Sequence, residues 1–311
     1  MRHFILAASL ALTLGSAQAA EATLDLKVRD LSADFVDFYD QANKPLPPVV
    51  APAAGQPAPV QESLEDRRWR LFKKHYDFSA QSTPEAARAA LDSAWPRYAG
   101  VLPQIEAGFD GIAAESSQAI GNLSKLQSLS QSMSLRLVTY VGAFEGRVWR
   151  DKEEDVVNLY LPLEVGADAR LVPMARLLGE TMLDKTAGWG SKPRTLAELV
   201  VGEGVVAHGA AAVAPGKGIE QYLGINADEL ARLRANRKTI LSTMLPKLGD
   251  GSAATLDNYR GAQLAEARFA GWLLVEGFTK KKARYADMIR QKPADLTKVS
   301  QATMASINRA K

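Results

Sequence analysis

The spacing of apolar residues changes period along this chain, and that change limits it to one architectural class. Residues 103–132 carry apolar side chains at helical spacing and read as one long helix, with Gly108 and Gly121 as its weak points. Residues 135–141 (LRLVTYV) and 156–161 (VVNLYL) are instead rich in β-branched and aromatic side chains, which fit a pleated, half-buried surface, and read as strands. A short strand at 147–150 is expected between them. The helical period then returns over 168–185, 195–213, 228–244, 257–278, 283–290 and 296–307. Upstream, 31–41 and 64–76 read as amphipathic helices. Thr83-Pro84-Glu85 opens a third, with proline placed where a helix does not need its N–H. Many helices around a small sheet at about 134–164 make a mainly helical α+β chain.

The chain is 47% hydrophobic, enough to build a substantial core. Its formal net charge of +3 argues against nucleic acid as the main partner. The first residues combine a basic lead (Met1-Arg2-His3), an apolar run at 4–14 and the cleavage pattern Ala17-Gln18-Ala19. Together they read as a secretory signal peptide over 1–19, which predicts a periplasmic or secreted chain of about 290 residues. No later stretch approaches the roughly 20 uninterrupted apolar residues of a transmembrane helix. There is no cysteine, so the fold does not depend on disulfides. Residues 43–59 (NKPLPPVVAPAAGQPAP) form an extended proline- and alanine-rich linker. An N-terminal segment over 20–60, one helix and this linker, therefore precedes a single domain over 61–311.

Chemistry concentrates on two helices. Glu180 and Asp184 stand four residues apart and share a helix face, so both carboxylates address one cleft if a cleft is there. Glu203 joins them if the next helix crosses nearby. Three carboxylate groups suit a hard cation such as calcium, held weakly. The plainer alternative is an acidic surface neutralised by Arg176 or Lys185. Gly202-Glu203-Gly204 begins a G-x-G-x-x-A pattern, but its surroundings are helical rather than β-turn-α, and glycines at a close helix crossing explain it equally well. His208, five residues after Glu203, points about 140° away from it and reads as a capping or surface histidine. The basic runs from Arg67 to Lys74 and from Lys280 to Arg284 suit an anionic surface, a lipid headgroup or a glycan phosphate, and read more plainly as solvated helix faces. No nucleophile elbow is present, and three histidines (His3, His75 and His208) give little room for a serine or cysteine hydrolase.

Residues 171–185 (LVPMARLLGETMLDK) and 196–215 (LAELVVGEGVVAHGAAAVAP) resemble the zinc-site helices of gluzincin-type metallopeptidases, within the families of predicted zinc-dependent proteases. Those enzymes carry H-E-x-x-H on one helix and a further glutamate, in an E-G context, on the next. Here the first motif falls on Gly179-Glu180-Thr181-Met182-Leu183 and the second on Glu203-Gly204. Both glutamates are present; both histidines are replaced. Residues 35–42 and 68–78 resemble the helical lead-in, 135–164 the strand region, with Gly146-Arg147-Val148 on the substrate-edge strand, and 269–296 the C-terminal helix.

The resemblance implies a gluzincin-like body whose zinc site is lost. Catalytic zinc takes three protein ligands and a water, and Gly179 and Leu183 offer no donor. Glu180, in the family's place for a general base, then has no metal-bound water to deprotonate. The expectation is an exported pseudoenzyme without a cofactor, weak divalent-cation binding aside. It would hold a peptide or an envelope protein in a cleft lined by Glu164, Glu180, Asp184, Trp189 and Glu203, with the strand leading to Glu164 offering its edge. Two other expectations stand beside it: an active metal-dependent hydrolase with a carboxylate site, and a periplasmic assembly factor acting through its surface.

Overall fold

The alternation of Leu24, Leu26 and Val28 with Asp25, Lys27 and Arg29 turns one face of a strand inward and the other to solvent. This is β1 (Leu24–Asp30), and it corrects the sequence reading, which gave the N-terminal segment only a helix and kept the sheet within 134–164. The computed structural model describes residues 23–46, 62–129 and 131–309; the leader at 1–19 and most of the linker at 43–59 lie outside them. β1 runs parallel to β2 (Met133–Tyr140), and β2 runs parallel to β4 (Val156–Pro162). β3 (Trp149–Glu153) pairs antiparallel with β4, so the spatial order is β1-β2-β4-β3. The short strand expected at 147–150 thus lies slightly later, and it sits on the outer edge of the sheet.

Helices precede, interrupt and follow this sheet. α1 (Ser32–Asn43), α2 (Leu64–His75) and α3 (Pro84–Tyr98) come first. Ser63 and Thr83 accept the first free N–H groups of α2 and α3, which fixes where each begins. The long helix expected at 103–132 is broken into α4 (Leu102–Glu106), a 3-10 turn and α5 (Ala113–Gln127). Gly108 makes that break: its φ is +55°, and a side chain there would press 2.7 Å from the Ser32 hydroxyl. After the sheet come α6 (Ala167–Thr186) and α7 (Leu196–Val213), then the short α8 (Ile219–Leu223). The helix expected at 228–244 is split at Asn236 into α9 (Ala227–Ala235) and α10 (Arg237–Met244). The one expected at 257–278 is split at Gly261 into α11 (Ala253–Arg260) and α12 (Leu264–Lys280). α13 (Tyr285–Ile289) and α14 (Pro293–Arg309) complete the described chain.

Two apolar cores result. Leu135, Leu137, Leu159 and Leu161 of the sheet join Phe35 and Phe38 of α1, Leu123 of α5 and Leu178 of α6 in the first. The second gathers α7, α12 and the helices after them around Val201, Val205, Ala270 and Leu274. α7 is long and apolar enough to cross a membrane, but 78% of it is buried within the protein, as expected of a core helix. Its contact with α12 depends on paired glycines. A methyl on Gly204 would fall 2.5 Å from the carbonyl carbon of Gly271, and one on Gly271 would fall 2.7 Å from the Gly204 nitrogen. The Gly202-Glu203-Gly204 pattern lies wholly within a helix, and Gly204 serves a backbone-to-backbone crossing.

Candidate functional site

α6 and α7 pack side by side, and the edge strand β3 lies against α6. Where they meet is a cavity of about 250 Å³. Four of the five residues expected to line a cleft line this one: Glu180 and Asp184 from α6, Trp189 from the loop after it, and Glu203 from α7. Leu183, Leu199, Val206 and Pro193 supply its apolar wall, with Arg150 and Arg260 also on the lining.

Glu164 belongs elsewhere. It is only 2% exposed and accepts the N–H groups of Gly142 (2.9 Å) and Phe144 (3.3 Å), pinning the loop that leads into β3. Burial raises its pKa above the ordinary glutamate value, against those two N–H bonds. Its position near the end of β4 made it look like a cleft residue, but β4 lies inside the sheet between β2 and β3. On that side of the sheet the edge strand is β3, and β1 is the edge on the other.

The remaining carboxylates are each held by arginines. Arg150 on β3 donates to Thr181 Oγ1 (2.9 Å) and Asp184 Oδ2 (3.2 Å), and stands 3.8 Å from Glu180 Oε2. Arg268 on α12 donates to Glu203 Oε2 at 3.0 Å. Arg176, one turn before Glu180 on α6, is 6% exposed and donates through Nη1 to the carbonyl of Tyr222. Its Nη2 lies 3.6 Å from Glu180 Oε1 and 3.6 Å from Glu203 Oε2. That nitrogen is buried and has no hydrogen-bond partner among the described residues. At an effective dielectric constant near 20, each of these attractions amounts to roughly 4 kcal/mol before desolvation is subtracted. Lys185 takes no part among the described ion pairs; Arg176 alone of the two expected neutralisers does.

Protonation follows from this geometry. Burial pushes the Glu180 pKa up, and the Glu203 charge adds to the rise, while Arg176, Arg150 and Arg268 oppose it. Burial lowers the pKa of Arg176, helped by Arg268 and opposed by Glu203 and Glu180. Glu198, fully buried on the same cavity wall, pairs with Arg194 at 2.8 Å.

The residues do not fit a bound zinc ion. Gly179 faces Gln127 and Val206 between α5, α6 and α7, with no donor side chain to offer. Leu183 lies against Gly202, where its Cδ2 would be 3.1 Å from an added methyl. The space between Glu180 on α6 and Glu203 on α7 is addressed by the Arg176 guanidinium, a fixed cation. Met182 points away to Ser124 on α5, so it does not fill the cavity.

His208 is neither cap nor surface residue. It sits inside α7, stacked on Trp272 of α12 at 3.9 Å, with Nε2 3.0 Å from the Trp272 carbonyl; burial lowers its pKa below the usual histidine value. The basic run on α2 is largely paired: Arg70 with Glu62, Lys73 with Asp77, and Arg68 above the Trp95 ring. Arg176 was legible from its spacing to Glu180, since residues four apart share a helix face. Arg150 and Arg268 arrive from distant segments, and no local pattern marks them. Comparison with protein-family models, with curated proteins and with solved structures returns no match to this chain.

Proposed function

We propose that this chain is an exported, metallopeptidase-like protein that has exchanged metal chemistry for binding, and that it holds an extended peptide or a segment of an envelope protein along β3. The observation that carries this reading is the placement of the cavity. Glu180, Asp184, Trp189 and Glu203 line it, and Arg150 of the free-edged strand β3 is on the same wall. β3 and β4 are joined by the two-residue turn Glu154-Asp155. In such a hairpin the closing pair, Glu153 with Val156, is hydrogen-bonded, and bonded and unbonded pairs then alternate. Arg150 and Lys152 therefore direct their N–H and C=O groups outward, where an added strand pairs with them. A side chain of that strand reaches the cavity, packing on Trp189 and Leu183. Arg176, between the two glutamates, supports the non-catalytic half of the reading: it supplies their counter-charge without a metal.

The test uses a library of extended peptides and fluorescence anisotropy, with the wild-type chain and Lys152→Pro. Proline at 152 removes an outward N–H and leaves the β3–β4 ladder intact. Binding in the micromolar range by the wild type, lost in Lys152→Pro with the melting curve unchanged, is the expected result. No binding at high micromolar concentration, or equal binding by both proteins, overturns the proposal.

A further inference from the structure

A second cavity, about 500 Å³, lies away from the cleft, between α10, α12 and α14. Its lining carries three cations, Arg237, Lys280 and Lys281, and one carboxylate, Glu276. Glu276 is already engaged by Lys280 at 2.8 Å. Neither Arg237 nor Lys281 has a carboxylate within ion-pair distance among the described residues. Arg237 is half-buried and tied by one Nη2 bond to the carbonyl of Ile307 (2.7 Å), which orients its guanidinium; among the described residues its other N–H groups have no partner. Lys281 is exposed, and among the described residues its Nζ reaches only the hydroxyl of the buried Thr303, at 3.4 Å. The excess of positive charge is local, because the chain as a whole carries only +3.

An oriented guanidinium and a neighbouring ammonium beside a hydroxyl form a recognition set for a tetrahedral oxyanion: arginine as a planar fork, lysine as a point charge. The volume falls within the usual range for a small-molecule site. Leu273 and Ile307 line the rest of the cavity, so a ligand with an apolar or neutral organic part is accommodated as well as its charged head. We propose that this cavity binds the phosphate group of an organic phosphate through Arg237 and Lys281, with the organic part lying on Leu273 and Ile307. This site is separate from the cleft and does not depend on how the cleft is used. The same chemistry is met by an anionic lipid headgroup or by a soluble phosphate ester.

The experiment measures the full chain against two probes: glycerol phosphate by calorimetry, and phosphatidylcholine vesicles with and without phosphatidylglycerol by sedimentation. The double variant Arg237→Gln/Lys281→Gln is compared with Lys292→Gln/Lys298→Gln, which removes the same charge from exposed positions outside the cavity. At least tenfold weaker binding by the cavity variant, with the control variant within twofold of wild type, is the expected result. Response to phosphatidylglycerol alone identifies a lipid headgroup, and response to glycerol phosphate alone identifies a soluble ester. Binding of neither probe, or an equal loss in the control variant, overturns the proposal. Melting curves accompany each variant, and Arg237→Lys, which keeps the charge, is expected to recover part of the affinity if the double variant is unfolded.

Discussion

Alanine at position 204 provides a sharp test of how α7 and α12 meet, because two physical effects there have opposite signs. Alanine inside a helix is ordinarily better than glycine by about 1 kcal/mol, so an unconstrained Gly204→Ala change is stabilising. In this fold the new methyl would lie 2.5 Å from the Gly271 carbonyl carbon and 2.8 Å from Val275 Cγ2. Carbon atoms are at their best separation near 3.5–4.0 Å, so the helices have to part by about 1 Å. Overpacking in a core typically costs about 1–3 kcal/mol, and a backbone obstacle, which cannot rotate aside, places this case at or above the upper end. Subtracting the propensity gain leaves a net loss of about 2 kcal/mol, or a Tm lower by roughly 4–8 °C. Gly121→Ala in α5 is the matched control: nothing beyond its chain neighbours and its own helix backbone lies within 4 Å of its methyl position, and it is expected to gain about 0.5–1 kcal/mol. Urea titration followed by far-UV circular dichroism measures both. If Gly204→Ala is as stable as Gly121→Ala, the two helices do not cross at these glycines and the account of the Gly202-Glu203-Gly204 pattern fails.

Replacing Arg176 with methionine leaves Glu180 and Glu203 facing one another beside a buried apolar side chain, at an expected cost of about 3–5 kcal/mol near neutral pH. The Glu180 pKa is already raised by burial and by Glu203, so the folded state binds that proton more tightly than the unfolded chain does. Its stabilising protonation is complete below the ordinary value of 4.5 and is lost as pH rises through the raised folded value, so the Arg176→Met deficit should shrink at pH 4.5 in parallel urea titrations. His208 has the opposite sign: burial lowers its pKa below 6.5, so stability is full above 6.5 and falls as the unfolded chain takes up the proton first. His208→Gln is expected to flatten the dependence of stability on pH just below 6.5; an unchanged slope would show that His208 titrates freely.

The strands of the sheet centre were legible because 135–141 and 156–161 carry β-branched runs that helices disfavour. β1 carried an equally readable alternation, Leu24 to Val28, but it stands next to a helix and far in sequence from its partner β2, so its place in the sheet could not be read locally. Helix ends inside long apolar patterns were harder. Apolar spacing continues across Gly108, Asn236 and Gly261, and what stops each helix is a backbone conformation or a tertiary contact. At the candidate site, residues on one helix face could be grouped from spacing alone, which is why Glu180, Asp184 and Arg176 emerge together. Glu164 was misplaced because its neighbourhood depends on which strand forms the edge, and that depends on β3 folding back outside β4. The counter-charges Arg150 and Arg268 come from β3 and α12, where only the assembled fold brings them to the glutamates.

The claim at the centre of this account is that the cation between Glu180 and Glu203 belongs to the protein itself. Native mass spectrometry of the full chain after incubation with zinc tests it most directly. A functional zinc site contributes on the order of 10 kcal/mol, so true occupancy would be stoichiometric rather than marginal. The account predicts the bare protein mass for the wild-type chain under these conditions. One tightly held zinc per chain, lost in Glu203→Gln, would contradict it and return the cleft to metal chemistry.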